Sequence, residues 1–299
     1  MGIDGVAFRE RVFAGLATLL ESSGGYLSRA DLEAFRVDGL GLPLLDGQQA
    51  IHNPKYPVEL DATLSVYSKP GSKYDDGDSS KGIWRYGYTG STPGGRNKKL
   101  RRAKELHLPI IYFDWIADGL YSPLFPVYVI DDVPDQLHVV LAYDGLRDIP
   151  SPENDSELEA SFREATVRQR IHQREFRARV LHAYASTCAI CGLPQAALLD
   201  AAHIRPYGEP GTGAREIRNG LALCTIHHRA YDRKLLGIDG EHRLYVHPEI
   251  QEIKDGPVLA ASLQKLPGTQ MGFVPRGANA PDPDRLEVTF KEFLDSLPT

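Results

Sequence analysis

The chain opens with apolar residues at helical spacing. They recur every three or four positions and stop at Gly24-Gly25, a pair that ends helices. The apolar positions are Phe8, Val12, Leu16, Leu19 and Leu20. A shorter helix is predicted after Ser28, because its hydroxyl can cap the helix while Asp31, three residues later, completes a capping box. The N-terminal part therefore begins with two helices.

From about residue 58 the helical spacing gives way to alternation. Over residues 60–66, apolar side chains alternate with polar ones, as in a strand with one buried face. Further strands are predicted at residues 83–88, 110–113, 127–130 and 139–143, and one helix at 100–107. Many short strands with few helices indicate a curved or barrel-like sheet and argue against a parallel, doubly wound one. The predicted fold class is α+β.

A polar segment at residues 148–156 separates this region from the rest. It contains two prolines and several acidic side chains, a composition typical of an exposed linker. We therefore predict two domains, residues 1–150 and residues 151–299. Within the second, Asp239-Gly240 between apolar segments indicates a hairpin turn. A short amphipathic helix is predicted at residues 286–297, with no recognisable chemistry.

The composition is that of a soluble globular protein. Of 299 residues, 42% are hydrophobic and 25% are charged, which excludes a mainly disordered chain. No apolar run reaches the length of a membrane span, and the N-terminus lacks a signal-peptide pattern. A cytoplasmic location is therefore expected.

The net charge of −6 does not favour a nucleic-acid partner, but two local patches are strongly basic. The first patch consists of Arg96, Lys98, Lys99, Arg101, Arg102 and Lys104. The second consists of Arg168, Arg170, Arg174, Arg177 and Arg179, on a long predicted helix whose other face is apolar. Either patch can be a solvated helix face. The second lies just upstream of candidate metal ligands, which favours a role in DNA binding for Arg170, Arg174 and Arg177.

All three cysteines lie in one segment together with a spaced histidine. Cys188 and Cys191 are separated by two residues, as are Cys224 and His227, so each pair can present two ligands to one ion. Three thiolates and an imidazole form a closed tetrahedral set, which suits structural zinc. The alternatives are a redox pair, for which a surrounding βαβ pattern is missing, and three small buried residues.

The order of polar residues between these ligand pairs resembles the HNH family of metal-dependent nucleases. The segment contains Asp200-Ala-Ala-His203, then Asn219, then His228 directly after His227. The resemblance implies that His203, at the end of a strand, is the general base, that Asn219 organises the loop, and that His228 holds a catalytic Mg²⁺ or Mn²⁺. Many family members carry Asp directly before the first His, where this chain has Ala202. Asp200, on the same strand face, is the candidate replacement, and the alternative is that Asp200 binds a loop amide.

Upstream, two short motifs resemble the SRA or YDG family of modified-cytosine readers, which are PUA-like β-barrels. They are Tyr74-Asp75-Asp76-Gly77-Asp78 and Tyr86-Gly87-Tyr88-Thr89-Gly90-Ser91. Such domains flip a base and hold it between aromatic rings while a carboxylate binds its Watson-Crick edge. The resemblance implies Tyr74 and Tyr88 as the rings and Asp76 as the carboxylate, with Tyr86 and Asp78 as the alternatives. A tyrosine-rich strand packed in a barrel core also accounts for the pattern.

Together these motifs resemble type IV restriction enzymes. The leading hypothesis is an endonuclease that binds double-stranded DNA containing 5-methylcytosine or a related base and cuts it, as a homodimer if both strands are cleaved. The first alternative is an HNH nuclease that recognises another mark or an unmodified sequence. The second is a non-catalytic zinc module that binds nucleic acid or a partner.

Overall fold

The computed structural model of the chain forms two compact units. Unit 1 comprises residues 1–20 and 25–175, and unit 2 comprises residues 21–24 and 176–299. The structure describes residues 5–45, 50–54, 59–68, 82–144, 157–206, 216–254 and 256–298, with the backbone alone over 157–168. Among these residues no helix combines the length and the apolar character that crossing a bilayer requires.

Unit 1 is a curled sheet with helices. Its helices are α1 (Val6–Ser23), α2 (Arg29–Glu33) and α3 (Asn97–Glu105), and α1 extends a few residues into unit 2. Its strands are β1 (Leu27–Ser28), β2 (Arg36–Val37), β3 (Leu40–Gly41), β4 (Ile51–His52), β5 (Ser65–Tyr67), β6 (Ile83–Gly87), β7 (Ile110–Ala117), β8 (Leu120–Val133) and β9 (His138–Tyr143). The predicted capping box is present, since Ser28 Oγ accepts from Asp31 N at 3.2 Å and Asp31 accepts from Ser28 N at 2.9 Å.

Seven of the strands form one mixed sheet in the described part of the unit. Their order is β4-β5-β7-β8-β9-β6, with β1 paired to β8. β5 and β7 are parallel and the other pairs are antiparallel. The hydroxyl of Tyr86, on the end strand β6, lies within hydrogen-bonding distance of two carbonyls at the other end of the sheet. They are those of Ala50 (3.1 Å), next to β4, and Tyr67 (3.2 Å), in β5. The two ends of the sheet therefore approach each other, which gives the predicted curved sheet the form of a half-barrel.

The two faces of the sheet pack into separate apolar clusters. On β7, Ile110 and Tyr112 join the cluster that includes Leu100 of α3, whereas Ile111 and Phe113 join the cluster formed with α1 and α2. This arrangement follows from the alternation of side chains along a strand. Both faces of β7 are covered, so its apolar run has no polar alternation.

The strand predicted over residues 60–66 begins only at Ser65. The cause is Arg9, a fully buried arginine of α1, whose guanidinium donates to the carbonyls of Ala62 (3.1 Å), Thr63 (2.8 Å) and Pro109 (2.8 Å). Thr63 and Ser65 are also fully buried, so the apparent polar face of this segment is inside the unit. Carbonyls bound to a side chain are not available to a strand ladder.

The helix α4 (Glu157–Ala183) contributes to both units, with the division after Glu175. Unit 2 continues with β10 (Leu199–His203), β11 (Gly220–Cys224), α5 (Thr225–Asp232), β12 (Leu236–Ile238), β13 (Leu244–Val246), α6 (Pro248–Glu252), α7 (Pro257–Leu259) and α8 (Pro283–Asp295). β10 and β11 form an antiparallel pair, and α5 packs against both strands. The predicted hairpin is β12 with β13, where the carboxylate of Asp239 accepts from the amides of Glu241 (2.9 Å) and Arg243 (2.8 Å).

Candidate active site

A cluster of three sulfurs and one imidazole lies at the junction of the α4–β10 connection with α5. Cys188 and Cys191 occupy a tight turn closed by the amide of Gly192, which donates to the carbonyl of Cys188 at 3.0 Å. Cys224 ends β11 and caps α5, and His227 lies in the first turn of α5. The ligand atoms of these four residues all lie within 4.8 Å of one another. The structure therefore brings the four predicted zinc ligands together.

The spacing of the ligand atoms fits one metal ion. For tetrahedral zinc, bonds of about 2.3 Å to sulfur imply sulfur atoms about 3.8 Å apart. The Sγ atoms of Cys191 and Cys224 are 4.0 Å apart, and His227 Nδ1 lies 3.1 Å from Cys224 Sγ and 3.5 Å from Cys188 Sγ. The other ring nitrogen of His227 donates to the carbonyl of Ser262 at 2.8 Å. That bond leaves the lone pair of Nδ1 directed at the sulfurs, as metal-binding histidines require.

The charge distribution in the cluster favours a thiolate. Hydrogen bonds from Cys224 and His227 lower the pKa of the Cys188 thiol and outweigh the effect of burial, while the same contact with Cys188 raises the pKa of Cys224. All three cysteines are free thiols. The cluster can therefore hold a metal ion such as zinc.

His203, the predicted general base, is the last residue of β10. Its ring stacks on Phe176 of α4 with the ring centroids 4.0 Å apart and the planes 9° apart. The register of the pair places Gly220 opposite His203. A Cβ atom at position 220 would lie 2.4 Å from Val180 Cγ2 and 2.8 Å from Phe176 Cζ, so only glycine allows α4 to approach this closely. The plane of the His203 ring is thus set by the packing of α4.

Asn219 binds the segment that follows His203. It is fully buried just before β11, and its amide oxygen accepts from Arg205 N at 2.9 Å while its amide nitrogen donates to Arg205 O at 3.0 Å. Its own carbonyl accepts from Ile204 N at 2.8 Å. One side chain therefore joins the two ends of the loop between β10 and β11, which is the arrangement expected of a loop organiser.

The structure places His228 of α5 near Asp200 of β10. His228 Nδ1 is 4.0 Å from Asp200 Oδ2, and Ala202 is fully buried whereas Asp200 remains accessible. Two ligands at this separation can contact one divalent ion, since each bond would be about 2.0–2.2 Å. Asp232, one helical turn after His228, lies 3.4 Å from the other ring nitrogen. Asp232 was not predicted as a site residue, although a carboxylate four residues after a candidate metal ligand lies on the same helix face and so indicates this contact.

The three arginines predicted to bind DNA phosphates differ in their surroundings. Arg170 and Arg174 are exposed, and the guanidinium of Arg174 lies over the ring of Tyr143 at 5.9 Å. Arg177, by contrast, donates to Asp200 Oδ1 at 3.1 Å and to the carbonyls of Leu199 (2.9 Å) and Ala196 (3.3 Å). Arg177 therefore orients the Asp200 carboxylate, so that its second oxygen is the one nearer to His228.

The first basic patch is largely neutralised by acidic residues. On α3, Arg102 binds Glu105 at 2.8 Å and Lys104 binds Asp131 at 2.9 Å. Further ion pairs join Lys99 and Arg102 to Asp61, and Arg101 to Asp132. This outcome matches the interpretation of the patch as a solvated helix face.

Two of the proposed base-binding residues, Tyr74 and Asp76, lie outside the described residues, as does Asp78. Tyr88 is buried in the core of unit 1, and its hydroxyl donates to Asp132. Burial, together with this hydrogen bond, raises the pKa of Tyr88. Tyr86 is buried in the same cluster. The tyrosines after β5 thus include core positions, and the base-binding set stays a prediction.

The C-terminal helix α8 contacts the loop between β10 and β11, which was not predicted. Thr289 Oγ1 donates to the carbonyl of Ile204 at 2.9 Å, and Glu292 accepts from Arg205 and from Lys234 Nζ (2.8 Å). Although burial raises the pKa of Glu292, the bonds from Lys234 and Arg205 hold it below its ordinary value. These contacts join residues far apart in the chain, so no local pattern indicates them.

Comparisons with known proteins bear on the nuclease segment. No curated protein matches the chain significantly. Among solved structures, the chain is similar to the Modification dependent TagI restriction endonuclease, with 16% identity over 92% of each chain and a TM-score of 0.30. A likeness this weak carries no argument about function. Residues 188–239 match the HNH_2 family model, described as HNH endonuclease, and this match confirms the predicted HNH endonuclease domain within the chain.

Proposed function

We propose that the protein is a metal-dependent endonuclease that cleaves double-stranded DNA containing 5-methylcytosine or a related modified cytosine. One observation carries the nuclease part of this proposal. The β10–β11–α5 unit places His203, Asn219 and the pair of Asp200 and His228 within a segment that matches the HNH endonuclease family. The proposed nuclease domain is residues 151–299.

In the proposed mechanism, His203 takes the proton from the attacking water. A histidine suits this role because its ordinary pKa lies near neutral pH. Stacking on Phe176 fixes the plane of the ring, and the bonds of Asn219 to Arg205 fix the backbone that follows it. A Mg²⁺ or Mn²⁺ ion held by Asp200 and His228 would stabilise negative charge on the scissile phosphate and the leaving oxygen.

The Cys188, Cys191, Cys224 and His227 cluster is proposed to hold structural zinc. With four protein ligands the tetrahedral site is closed, so it has no position for water or substrate. Its role would be to join β11, α5 and the α4–β10 connection. The two metals would thus have separate roles on adjacent residues, His227 for zinc and His228 for the catalytic ion.

Recognition of the modified base is assigned to residues 1–150. The order of Tyr74, Asp76 and Tyr88 in the sequence, together with the curled sheet in the described part of unit 1, supports a reader that holds a flipped base. Arg170 and Arg174 are proposed to contact flanking phosphates. One active centre in each chain favours a homodimer for a double-strand cut, in the cytoplasm.

A second candidate function is a non-catalytic zinc module that binds nucleic acid. Two observations favour it: Ala202 stands where many HNH nucleases carry a carboxylate, and the nearby Asp200 already binds Arg177 at 3.1 Å. The carboxylate oxygen that accepts from Arg177 is already occupied, which leaves one oxygen of Asp200 for a metal ion. This candidate predicts DNA binding without cleavage.

A plasmid cleavage assay separates these functions. Purified protein is incubated with methylated and unmethylated plasmid in Mg²⁺, Mn²⁺ or EDTA, alongside His203→Ala, His228→Ala and the control His182→Ala on the exposed side of α4. We expect metal-dependent cleavage of methylated plasmid, a loss of about 10² to 10⁴-fold in His203→Ala, and little change in His182→Ala. Binding without cleavage under every condition would favour the zinc module, and cleavage of both plasmids at equal rates would remove the modified-base assignment.

A further inference from the structure

Asn219 and Thr289 bind all four backbone polar groups of Ile204 and Arg205, the two residues that follow His203. Asn219 accepts from Ile204 N through its carbonyl and binds both backbone groups of Arg205 through its side chain. The remaining group, the carbonyl of Ile204, accepts from Thr289 Oγ1 at 2.9 Å. Thr289 is nearly fully buried on α8. The backbone beyond the candidate base is therefore fixed from two sides, by the loop itself and by α8.

The side chain of Arg205 is also held by α8. Its guanidinium binds Glu292 of α8, and Glu292 also accepts from Lys234 Nζ at 2.8 Å. Lys234 lies two residues after the end of α5, the helix that carries His228. Glu292 thus connects the segment after His203 with the helix of the candidate metal ligand.

The helix α8 also contacts the other end of the β10–β11 loop. Arg285 forms an ion pair with Glu216 at 2.7 Å. Asp282, which caps α8, forms an ion pair with the guanidinium of Arg218 at 3.3 Å, and its backbone amide donates to the Arg218 carbonyl at 2.9 Å. Both ends of the β10–β11 loop are therefore attached to α8. A helix needed only for the core would bury its apolar face without binding four residues of this loop, which are Ile204, Arg205, Glu216 and Arg218.

We infer that α8 positions the candidate general base, with Thr289 and Glu292 acting as positioning residues through Ile204 and Arg205. This inference rests on the proposed nuclease function of the same site. Thr289 and Glu292 bind the two residues after His203 and would act on the base through them. Their effect is to hold the end of β10, so that the His203 ring meets the attacking water in one orientation. Because catalysis depends on placement within a fraction of an ångström, loosening this segment lowers the rate without removing any catalytic group.

The test compares conservative variants of the full-length protein. Thr289→Val removes the donor to Ile204 and keeps the shape, whereas Thr289→Ser keeps the donor. Glu292→Gln weakens the bond to Arg205, and Glu287→Gln is the matched control, because Glu287 binds the amide of Gly240 in the β12–β13 turn and not the β10–β11 loop. Single-turnover cleavage of methylated plasmid, DNA affinity, melting temperature and amide hydrogen exchange at residues 203–205 are measured for each variant.

We expect Thr289→Val and Glu292→Gln to cleave about tenfold more slowly, with DNA affinity within about twofold of wild type and faster amide exchange at residues 203–205. Thr289→Ser and Glu287→Gln should remain within about twofold of wild type in rate. Unchanged rates in Thr289→Val and Glu292→Gln, or an equal fall in Glu287→Gln, would overturn the inference. If the wild-type protein does not cleave DNA at all, the proposed function fails instead. Amide exchange at residues 203–205 then still shows whether α8 holds this segment, and unchanged exchange would overturn the inference by itself.

Discussion

Replacing Gly220 by alanine should destabilise unit 2 and slow cleavage at the same time. The added Cβ would lie 2.4 Å from Val180 Cγ2 and 2.8 Å from Phe176 Cζ. Carbon atoms pack at about 3.5–4.0 Å, so α4 must retreat by about 1 Å or the side chains must leave their rotamers. Overpacking of this kind costs about 1–3 kcal/mol. Since Phe176 stacks on His203, its displacement also moves the candidate base.

The assay follows the two units separately. Both tryptophans, Trp84 and Trp115, lie in unit 1, so their fluorescence during urea unfolding serves as an internal control. Zinc release to a coloured chelator reports on unit 2, because the cysteine cluster lies there. We expect the zinc-release midpoint to fall in Gly220→Ala while the fluorescence transition stays in place, and cleavage at 25 °C to slow in the same variant.

A double-mutant cycle with Val180→Ala tests the cause. If the contact with Val180 is the source of the strain, the double variant should be more stable than the sum of the single effects by at least about 1 kcal/mol. Additive effects, or a cost below about 0.5 kcal/mol for Gly220→Ala alone, would refute the claim that close approach of α4 requires glycine here.

Three further predictions concern the metal, an arginine and the reader. Purified protein should contain zinc, and Cys191→Ser should lose the metal together with much of the stability of unit 2, since structural zinc contributes on the order of 10 kcal/mol. Elemental analysis measures the zinc content, and native protein without zinc would contradict this prediction. Arg177→Gln should slow cleavage because the Asp200 carboxylate loses the contact that orients it, while the salt dependence of DNA binding stays unchanged. If the slope of log binding constant against log salt concentration falls by about 1 in this variant, Arg177 contacts a DNA phosphate instead. Asp76→Ala should erode discrimination between modified and unmodified duplexes more than total affinity, as measured by competition binding, and an unaltered preference would remove Asp76 from the reader.

Much of the site could be predicted because its signals are local. The two-residue spacings of Cys188 with Cys191 and of Cys224 with His227 reflect the geometry of turns that bind metal, and the structure brings all four residues together. The cap at Ser28 and the turn after β12 depend on side chains that bind their own neighbouring backbone. Such features need no knowledge of the rest of the chain.

The features that were missed depend on distant partners. The strand over residues 60–66 was wrong in extent because Arg9, more than fifty residues earlier, binds the carbonyls that a ladder would need. Arg177 resembles a phosphate ligand in sequence, yet three acceptors near β10 bind it. Periodicity describes which face of an element is apolar, and it contains no information on which remote polar group will meet that face.

The attachment of α8 also has a consequence in time. Thr289 is 85 residues beyond Ile204, which it binds. At a synthesis rate of about 5–20 residues per second, α8 emerges roughly 4–17 seconds after the end of β10. During that interval the cysteine cluster and the β10–β11 pair are already available to fold, while the segment after His203 still lacks its second support. A nascent chain would therefore complete its cysteine cluster before α8 fixes the segment after His203, so the candidate base would be the later of the two to become ordered.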